Sequence, residues 1–346
     1  MKTIIVTGGT GFIGSHTCLA LLKKNYKVII IDSLVNSSLE TLEKIKRIIK
    51  DQVPNIDNRL QFFKSDITDI IQLDKVFRNI INKNNTVSAV IHFAGLKSVS
   101  ESILDPLKYW DTNIIGSINL LKIMDKYRCN VILYSSSATI YSNKSISPLK
   151  EDYELDPINP YGKTKLTVEN LLSDLYASTK NKWKIINLRY FNPIGSHESG
   201  LIGENPKRDP TNIFPLILKV ASRELKTLRI FGDDYDTKDG TCVRDYIHVM
   251  DVAEGHISAL DYVLKNKPQI DNFNLGTGKG TSVLNLVETF QLVNNLKIPY
   301  VFTKRRIGDM ANVVADNKKA IKLLNWQPTR NIENMCRDGW RSKINN

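Results

Sequence analysis

The chain has 346 residues, 42% of them hydrophobic and 24% charged, with a formal net charge of +12. That length can bury a large core and leaves room for two lobes, and the composition excludes a disordered or fibrous chain. No run approaches the roughly 20 apolar residues that span a bilayer, and the start reads straight into a strand without a signal-peptide pattern, so we expect a cytoplasmic protein with no membrane partner.

The positive charge raises nucleic acid as a partner, but the lysines are dispersed through Lys/Asn/Ile-rich segments such as Lys44 to Asn58 and Arg78 to Asn85. Lacking a basic helix or an aromatic-basic stacking motif, the charge reads as compositional bias with no nucleic-acid partner. Cys18, Cys129, Cys242 and Cys336 are scattered. Their spacing fits no metal site, so neither zinc nor disulfides are expected.

In chain order, Lys2 to Val6 is a short buried strand, Gly8 to Gly14 a glycine-rich turn, and the next segment a helix to about Lys24. Gly9, Gly11 and Gly14 satisfy G-x-G-x-x-G, and Gly8, Gly11 and Gly14 a second spacing. Placed between strand and helix, such glycines let a pyrophosphate approach the helix N-terminus. The second strand, Lys27 to Ile31, ends in Asp32, where a carboxylate meets the adenosine ribose and repels a 2′-phosphate, so the expected cofactor is NAD and not NADP. The plainer reading of Asp32 is a cap for the next segment.

The pattern then repeats: helix from about Ser38 to Lys50, strand Leu60 to Lys64 running into Asp66 and Ile67, helix from about Asp69 to Asn82, and a strand from Val87 to a turn at Gly95. Pro106 opens a long helix to about Tyr127, and a fifth strand starts at Asn130. Strands alternating with helices predict an α/β fold with a doubly wound parallel sheet of the Rossmann type. Asp66 is placed for the adenine edge and Phe93, Ala94 and Gly95 for a path beneath the cofactor. Lys97 could reach a phosphate or ribose, or stand solvated.

Ser135 to Ser137 lie at the carboxyl end of the fifth strand, where polar residues face a ligand crevice. After Pro160 a helix is expected, with Leu166, Leu171, Leu172 and Leu175 as its buried stripe. Tyr161 and Lys165 sit four apart on one face of it. A lysine beside a phenol favours the phenolate and would move the tyrosine down from about 10, making a general base. The plainer reading is a packed tyrosine and a solvated lysine.

These motifs, with His92 to Lys97, Leu188 to Pro193 and Asp239 to Val249, resemble the extended short-chain dehydrogenase/reductases, and within them the UDP-glucose 4-epimerases, over residues 3 to about 328. The resemblance implies an enzyme that interconverts UDP-galactose and UDP-glucose with tightly bound NAD. Tyr161 takes the 4-hydroxyl proton, Ser137 relays or orients it, and Lys165 lowers the tyrosine pKa. Hydride leaves carbon 4, and the 4-keto sugar turns its other face before the hydride returns. It further implies cofactor contacts at Gly8, Gly11, Phe12, Ile13, Gly14, Asp32, Asp66, Ile67, Phe93 to Gly95, Lys97, Asn113, Tyr161, Lys165 and Tyr190. UDP-sugar contacts are implied at Lys97, Ser137, Tyr161, Phe191, Asn192, Asn212, Ile213, Arg229, Phe231, Arg244, Arg306, Asp309 and Val313.

Related dehydratases carry an Asp-Glu pair after the Ser/Thr, because eliminating water needs a second acid and base. Here Ala138 and Thr139 stand there. Ser142 and Ser65 replace family glycines, and the loop before Tyr161 is slightly short. Val313 stands where strictly hexose-specific members carry tyrosine, so N-acetylated UDP-sugars are also expected.

Residues 1–190 are expected to form the NAD domain and 191–346 a smaller α/β substrate lobe, with segments around 245–280 returning to the first. A homodimer through Pro106 to Tyr127 and Tyr161 to Thr179 is implied. The alternatives are a 4-epimerase of another UDP-sugar, uronate or pentose, and a non-enzymatic NAD-binding regulator. The presence of Tyr161 and Lys165 weighs against the regulator.

Overall fold

A computed structural model describes residues 1–82, 86–178, 182–207, 210–306 and 308–345. Asn85 and Thr179, which close two of the segments named above, lie outside them. In the first half, β1 (Thr3–Thr7), α1 (Phe12–Lys23), β2 (Lys27–Asp32), α2 (Glu40–Ile49), α3 (Ile56–Arg59), β3 (Leu60–Lys64), α4 (Ile70–Asn82) and β4 (Val87–His92) follow the predicted alternation. α5 (Val99–Leu104) and α6 (Pro106–Trp110) come next, then a π-helical turn (Asp111–Ile115), α7 (Gly116–Lys126), β5 (Val131–Ser137), α8 (Pro160–Ser178) and β6 (Lys184–Tyr190).

The second half contributes β7 (Asn192–Ile194), α9 (Ile213–Ala221), β8 (Leu228–Phe231), β9 (Val243–Arg244), β10 (Tyr246–His248), α10 (Val249–Lys265), β11 (Gln269–Leu275) and β12 (Thr281–Ser282). It ends with α11 (Val283–Asn294), β13 (Tyr300–Thr303), β14 (Asn312–Val313), α12 (Lys318–Leu324) and α13 (Ile332–Ile344).

The main sheet has seven strands in the order β11-β6-β5-β4-β1-β2-β3, paired in parallel throughout. Its inner strands read as unbroken apolar runs because helices cover both faces. One face buries Ile4, Val6, Val28 and Ile30 with α1 and α10; the other buries Ile5, Ile29, Val90 and Ile132 with α4, α7 and α8. The order reverses between β1 and β4, which opens a crevice at their carboxyl ends. A third core, around Phe214, Phe290 and Cys336, supports the second-half elements. All four cysteines are buried free thiols.

One expectation is refined and one corrected. The helix from Pro106 runs to Lys126 as read, with Asp111–Ile115 widened into a π turn within it. There the Asn113 carboxamide bonds both the N–H and the C=O of Leu96, and Gly116 lies against Ile67, where a Cβ would come within 2.6 Å. The buried face of α8 is not a leucine stripe: Thr164, Lys165, Val168, Glu169 and Leu172 face inward, while Leu166, Leu171 and Leu175 are only half-buried.

All five histidines are buried. His92 donates from Nε2 to Ser117, whose hydroxyl is committed to the Asn113 carbonyl, and accepts at Nδ1 from Thr7. His256 donates from Nδ1 to the Val252 carbonyl and accepts the Tyr190 hydroxyl at 2.6 Å. Each is thus a neutral imidazole with both nitrogens used. Burial pushes His16 and His92 down to about 3, and His197 and His256 to about 4.

Because these values lie below the unfolded 6.5, the unfolded chain gains protons first on acidification. The stability contributed by neutral burial is complete above pH 6.5 and is lost as pH falls towards 4. Each histidine removes about 1.4 kcal/mol per pH unit over that window. Calorimetry should show Tm falling steeply from pH 6.5 to 4.5, and a flat Tm there would mean that these imidazoles ionise inside the fold.

Candidate active site

The crevice at the carboxyl ends of β1, β4 and β5 is a cleft of about 850 Å³. Its floor is the glycine turn. Gly8 has φ of +70°, and a Cβ there would stand 2.7 Å from the Ala94 nitrogen; one on Gly14 would stand 2.3 Å from the Gly8 carbonyl oxygen. Backbone cannot yield at such distances, so β1, α1 and the β4 turn interlock only through glycine. Gly11 caps α1 without any side-chain hydrogen bond, leaving the amides of the first turn at Phe12 and Ile13 for an anion.

Asp32, on the cleft wall, accepts from Thr10 N (3.1 Å), Leu34 N (2.9 Å) and Ser37 Oγ (3.2 Å). It does cap the following segment, yet a carboxylate offers about four lone-pair sites, so one is left for a ribose hydroxyl. Asp66 and Ile67 line the far end, and Phe93 to Lys97, Ser135, Ser136, Tyr161, Lys165 and Tyr190 line the near end. Ser136 Oγ is buried there without a partner. Lys97 is exposed, as the plainer reading has it, and also pairs with Glu204 at 2.6 Å. The Asn113 carboxamide holds Leu96 and the Thr164 hydroxyl, which uses both of its N–H groups and leaves one lone pair on Oδ1.

The near end holds the residues predicted to transfer the proton. Lys165 Nζ donates to the Ser135 carbonyl at 2.7 Å and lies 4.9 Å from the Tyr134 ring centroid and 5.9 Å from that of Tyr161. Ser137 Oγ accepts from Thr139 N (3.2 Å) and Thr139 Oγ1 (3.0 Å). The predicted downward pull on Tyr161 does not dominate. Burial pushes its phenol up to about 12 with only the Ser137 hydrogen bond opposing, and burial brings Lys165 down to about 7 with Glu169 opposing. Lys165 is not among the groups that act on the phenol.

The second half brings two of the predicted arginines against other predicted site residues. Arg306 stacks on Phe231 at 4.0 Å, and Arg244 reaches Asp309 at 3.5 Å while donating to the Met310 carbonyl. Arg244 and Val313 are register partners across β9 and β14, and Val313 packs with Tyr141 and Phe191. Asn192 is held by its N–H on the Asp245 carbonyl. Asn212 is exposed at the start of α9, and Ile213 packs on the third core. Arg229 is exposed and alternates with buried Leu228 and Ile230, on the same face of β8 as Phe231.

Sequence reasoning missed Thr10 and Ser37 on Asp32, Glu204 on Lys97, and Glu169 with Arg189 behind Lys165. Only the last pair left a trace: Glu169 repeats the four-residue spacing that links Tyr161 to Lys165, a charge on a buried helix face.

A family model described as GDP-mannose 4,6 dehydratase matches residues 5–339. The chain is 47% identical over 344 residues to a UDP-glucose 4-epimerase of Bacillus subtilis (strain 168), covering 99% of this chain and 97% of that protein. It is 46% identical over 340 residues to the bifunctional UDP-glucose 4-epimerase and UDP-xylose 4-epimerase 3 of Arabidopsis thaliana, covering 98% and 94%. A crystal structure of UDP-glucose 4-epimerase from Bifidobacterium longum in complex with NAD+ and UDP superposes with a TM-score of 0.92 at 41% identity, covering 100% of this chain and 99% of that one.

Proposed function

The chain belongs to the UDP-glucose 4-epimerase family of extended short-chain dehydrogenase/reductases, and from that premise we propose how its own residues carry out NAD-dependent interconversion of UDP-galactose and UDP-glucose. What carries the reading is the hydrogen bond of Ser137 to Tyr161, with Lys165 over the same ring and both Tyr161 and Lys165 lining the glycine-turn cleft. NAD, when bound, accepts a hydride from carbon 4 of the sugar and returns it, and its charged ring adds a positive field beside the phenol.

Tyr161 takes the proton of the 4-hydroxyl as a phenolate and gives it back to the ketone oxygen when the sugar has turned. Ser137 bridges the phenol and the sugar hydroxyl, and Thr139, donating to Ser137 Oγ, keeps that oxygen oriented. Lys165 holds its charge next to the phenolate. Asp32 binds the adenosine ribose, and the first-turn amides of α1 bind the pyrophosphate. Arg244 and Arg306 neutralise the UDP diphosphate as guanidinium forks, with Phe231 and Asp309 towards the uridine. Residues 1–190 serve as the NAD domain and 191–346 as the substrate lobe. Dehydration is disfavoured, because Ala138 and Thr139 can supply no second acid or base.

Val313 leaves the Tyr141 and Phe191 wall shorter than a tyrosine would, and we assign that space to substituents on carbon 2 of the sugar. A second reading, a pentose 4-epimerase, is favoured by the dual activity in the name of the Arabidopsis relative. We place the protein in the cytoplasm, where its four buried thiols stay reduced. We also place a second copy of the chain against Ile103, Leu104 and Leu107, which are 62%, 86% and 78% exposed along α5 and α6.

Purified protein should convert UDP-galactose to UDP-glucose with no NAD added, and Tyr161→Phe should lower kcat by about 10²- to 10⁴-fold; a mutant at wild-type rate would remove Tyr161 from the role. Val313→Tyr should suppress turnover of UDP-N-acetylglucosamine while sparing UDP-galactose, and equal N-acetyl rates in both proteins would sink the assignment of that space. In sedimentation the protein should run at twice the chain mass, and Leu104→Glu with Leu107→Glu at the single mass; a wild-type monomer would dismiss the interface.

A further inference from the structure

α8 buries a full ion pair directly behind the proposed base. Glu169 lies four residues past Lys165 on the same face, so the two side chains are neighbours roughly 5–6 Å apart at Cβ. The Arg189 fork grips it, Nε to Oε1 at 3.1 Å and Nη2 to Oε2 at 2.7 Å, with the two side chains only 1% and 5% exposed. The remaining Arg189 nitrogen donates to Tyr141 Oη at 3.0 Å and to the Glu151 carbonyl at 2.8 Å. Tyr141 in turn donates to Asn274 at 2.6 Å and packs against Val313 and Phe191. One guanidinium therefore touches both the catalytic helix and the wall of the sugar site.

Every titratable group facing Lys165 can be named. Tyr161 and Glu169 share its helix, Tyr134 approaches from β5, His92 from β4 and Tyr190 from β6. Burial keeps Tyr134 and Tyr190 as neutral phenols and His92 as a neutral imidazole. Glu169 is then the one formal anion among them that opposes the desolvation of the ammonium.

We propose that Glu169, fixed by the Arg189 fork, is a positioning residue that keeps the Lys165 nitrogen charged behind Tyr161, and that Arg189 transmits the same constraint to the Tyr141 wall of the sugar site. This rests on the roles given above to Tyr161 and Lys165. The active form has lost one proton from the Tyr161–Lys165 pair, and its useful tautomer is phenolate with ammonium. Removing the anion eases both deprotonations of the pair but disfavours that tautomer.

The test is kcat against pH, from about 5.5 to 9.5, on the full chain with its cofactor retained. Glu169→Gln should lower the plateau and move both limbs to lower pH by about one unit. Arg189→Gln, which strips the countercharge from Glu169, should move them to higher pH. Tyr141→Phe should leave the limbs in place and raise KM for the UDP-sugar. Limbs unmoved in both charge variants, with only the plateau lowered, would overturn the proposal. Where a single variant does not fold, Glu169→Leu combined with Arg189→Met removes both charges without stranding either. The limbs must still move down, because Glu169 is the nearer charge, and unmoved limbs again overturn it. If Tyr161→Phe keeps wild-type turnover the base assignment has failed; if turnover depends on Tyr161 yet the limbs stay fixed, only this inference has.

Discussion

A charged amine cannot be taken out of water without replacing what water gave it, and the site is organised around doing this for Lys165. Its nitrogen donates to the Ser135 carbonyl at the end of β5, rests over the Tyr134 ring and looks back along α8 at Glu169. A lone buried ammonium would be several kcal/mol too costly to keep. Ser135 and Tyr134 belong to β5 and Glu169 to α8, where Arg189 of β6 holds it, so the surroundings of the lysine depend on all three elements. Chemistry and folding share the same contacts here.

The first half was legible because its signals are local. Strand lengths, the glycine turn and the acid at the end of β2 depend on residues within a few positions of one another. The π turn was not legible, because nothing in Pro106 to Tyr127 breaks a helix: the cause is a side-chain bond from Asn113 to Leu96 on a distant loop. The leucine stripe of α8 misled for a related reason. Hydrophobic period marks what prefers to be inside, whereas here Lys165 and Glu169 occupy the inner face because Ser135 and Arg189 satisfy them there. Substrate-side residues came through the family resemblance rather than physics, because their partners lie far apart in the chain.

The second-half site has its own anchor in Asp245. This fully buried carboxylate accepts from Thr277 N, Thr277 Oγ1, Gly278 N and Ala315 N at 2.6 to 3.1 Å. Burial pushes its carboxyl upward while those four donors hold it down. Arg244 precedes it in the chain and Val313 lies two residues before Ala315. A single side chain therefore sets the spacing between the residue proposed for the diphosphate and the one proposed for carbon 2 of the sugar. Replacing any one donor would leave an under-satisfied charge, so the short strands β9, β12 and β14 behave as one unit despite their length.

The position of β11 beside β6 bears on how the chain is made. Synthesis proceeds from the N-terminus, and β6 is complete at Tyr190, while its outer neighbour ends only at Leu275. At about 5–20 residues per second, those roughly 85 residues take about 4–17 s on the ribosome. Throughout that interval the nascent sheet has an unpaired edge carrying Ile185, Ile186 and Leu188, the sort of edge that pairs with other chains. The demand falls on the quality-control machinery of the cell rather than on the finished enzyme, and it is greatest for the half of the molecule whose fold is easiest to read.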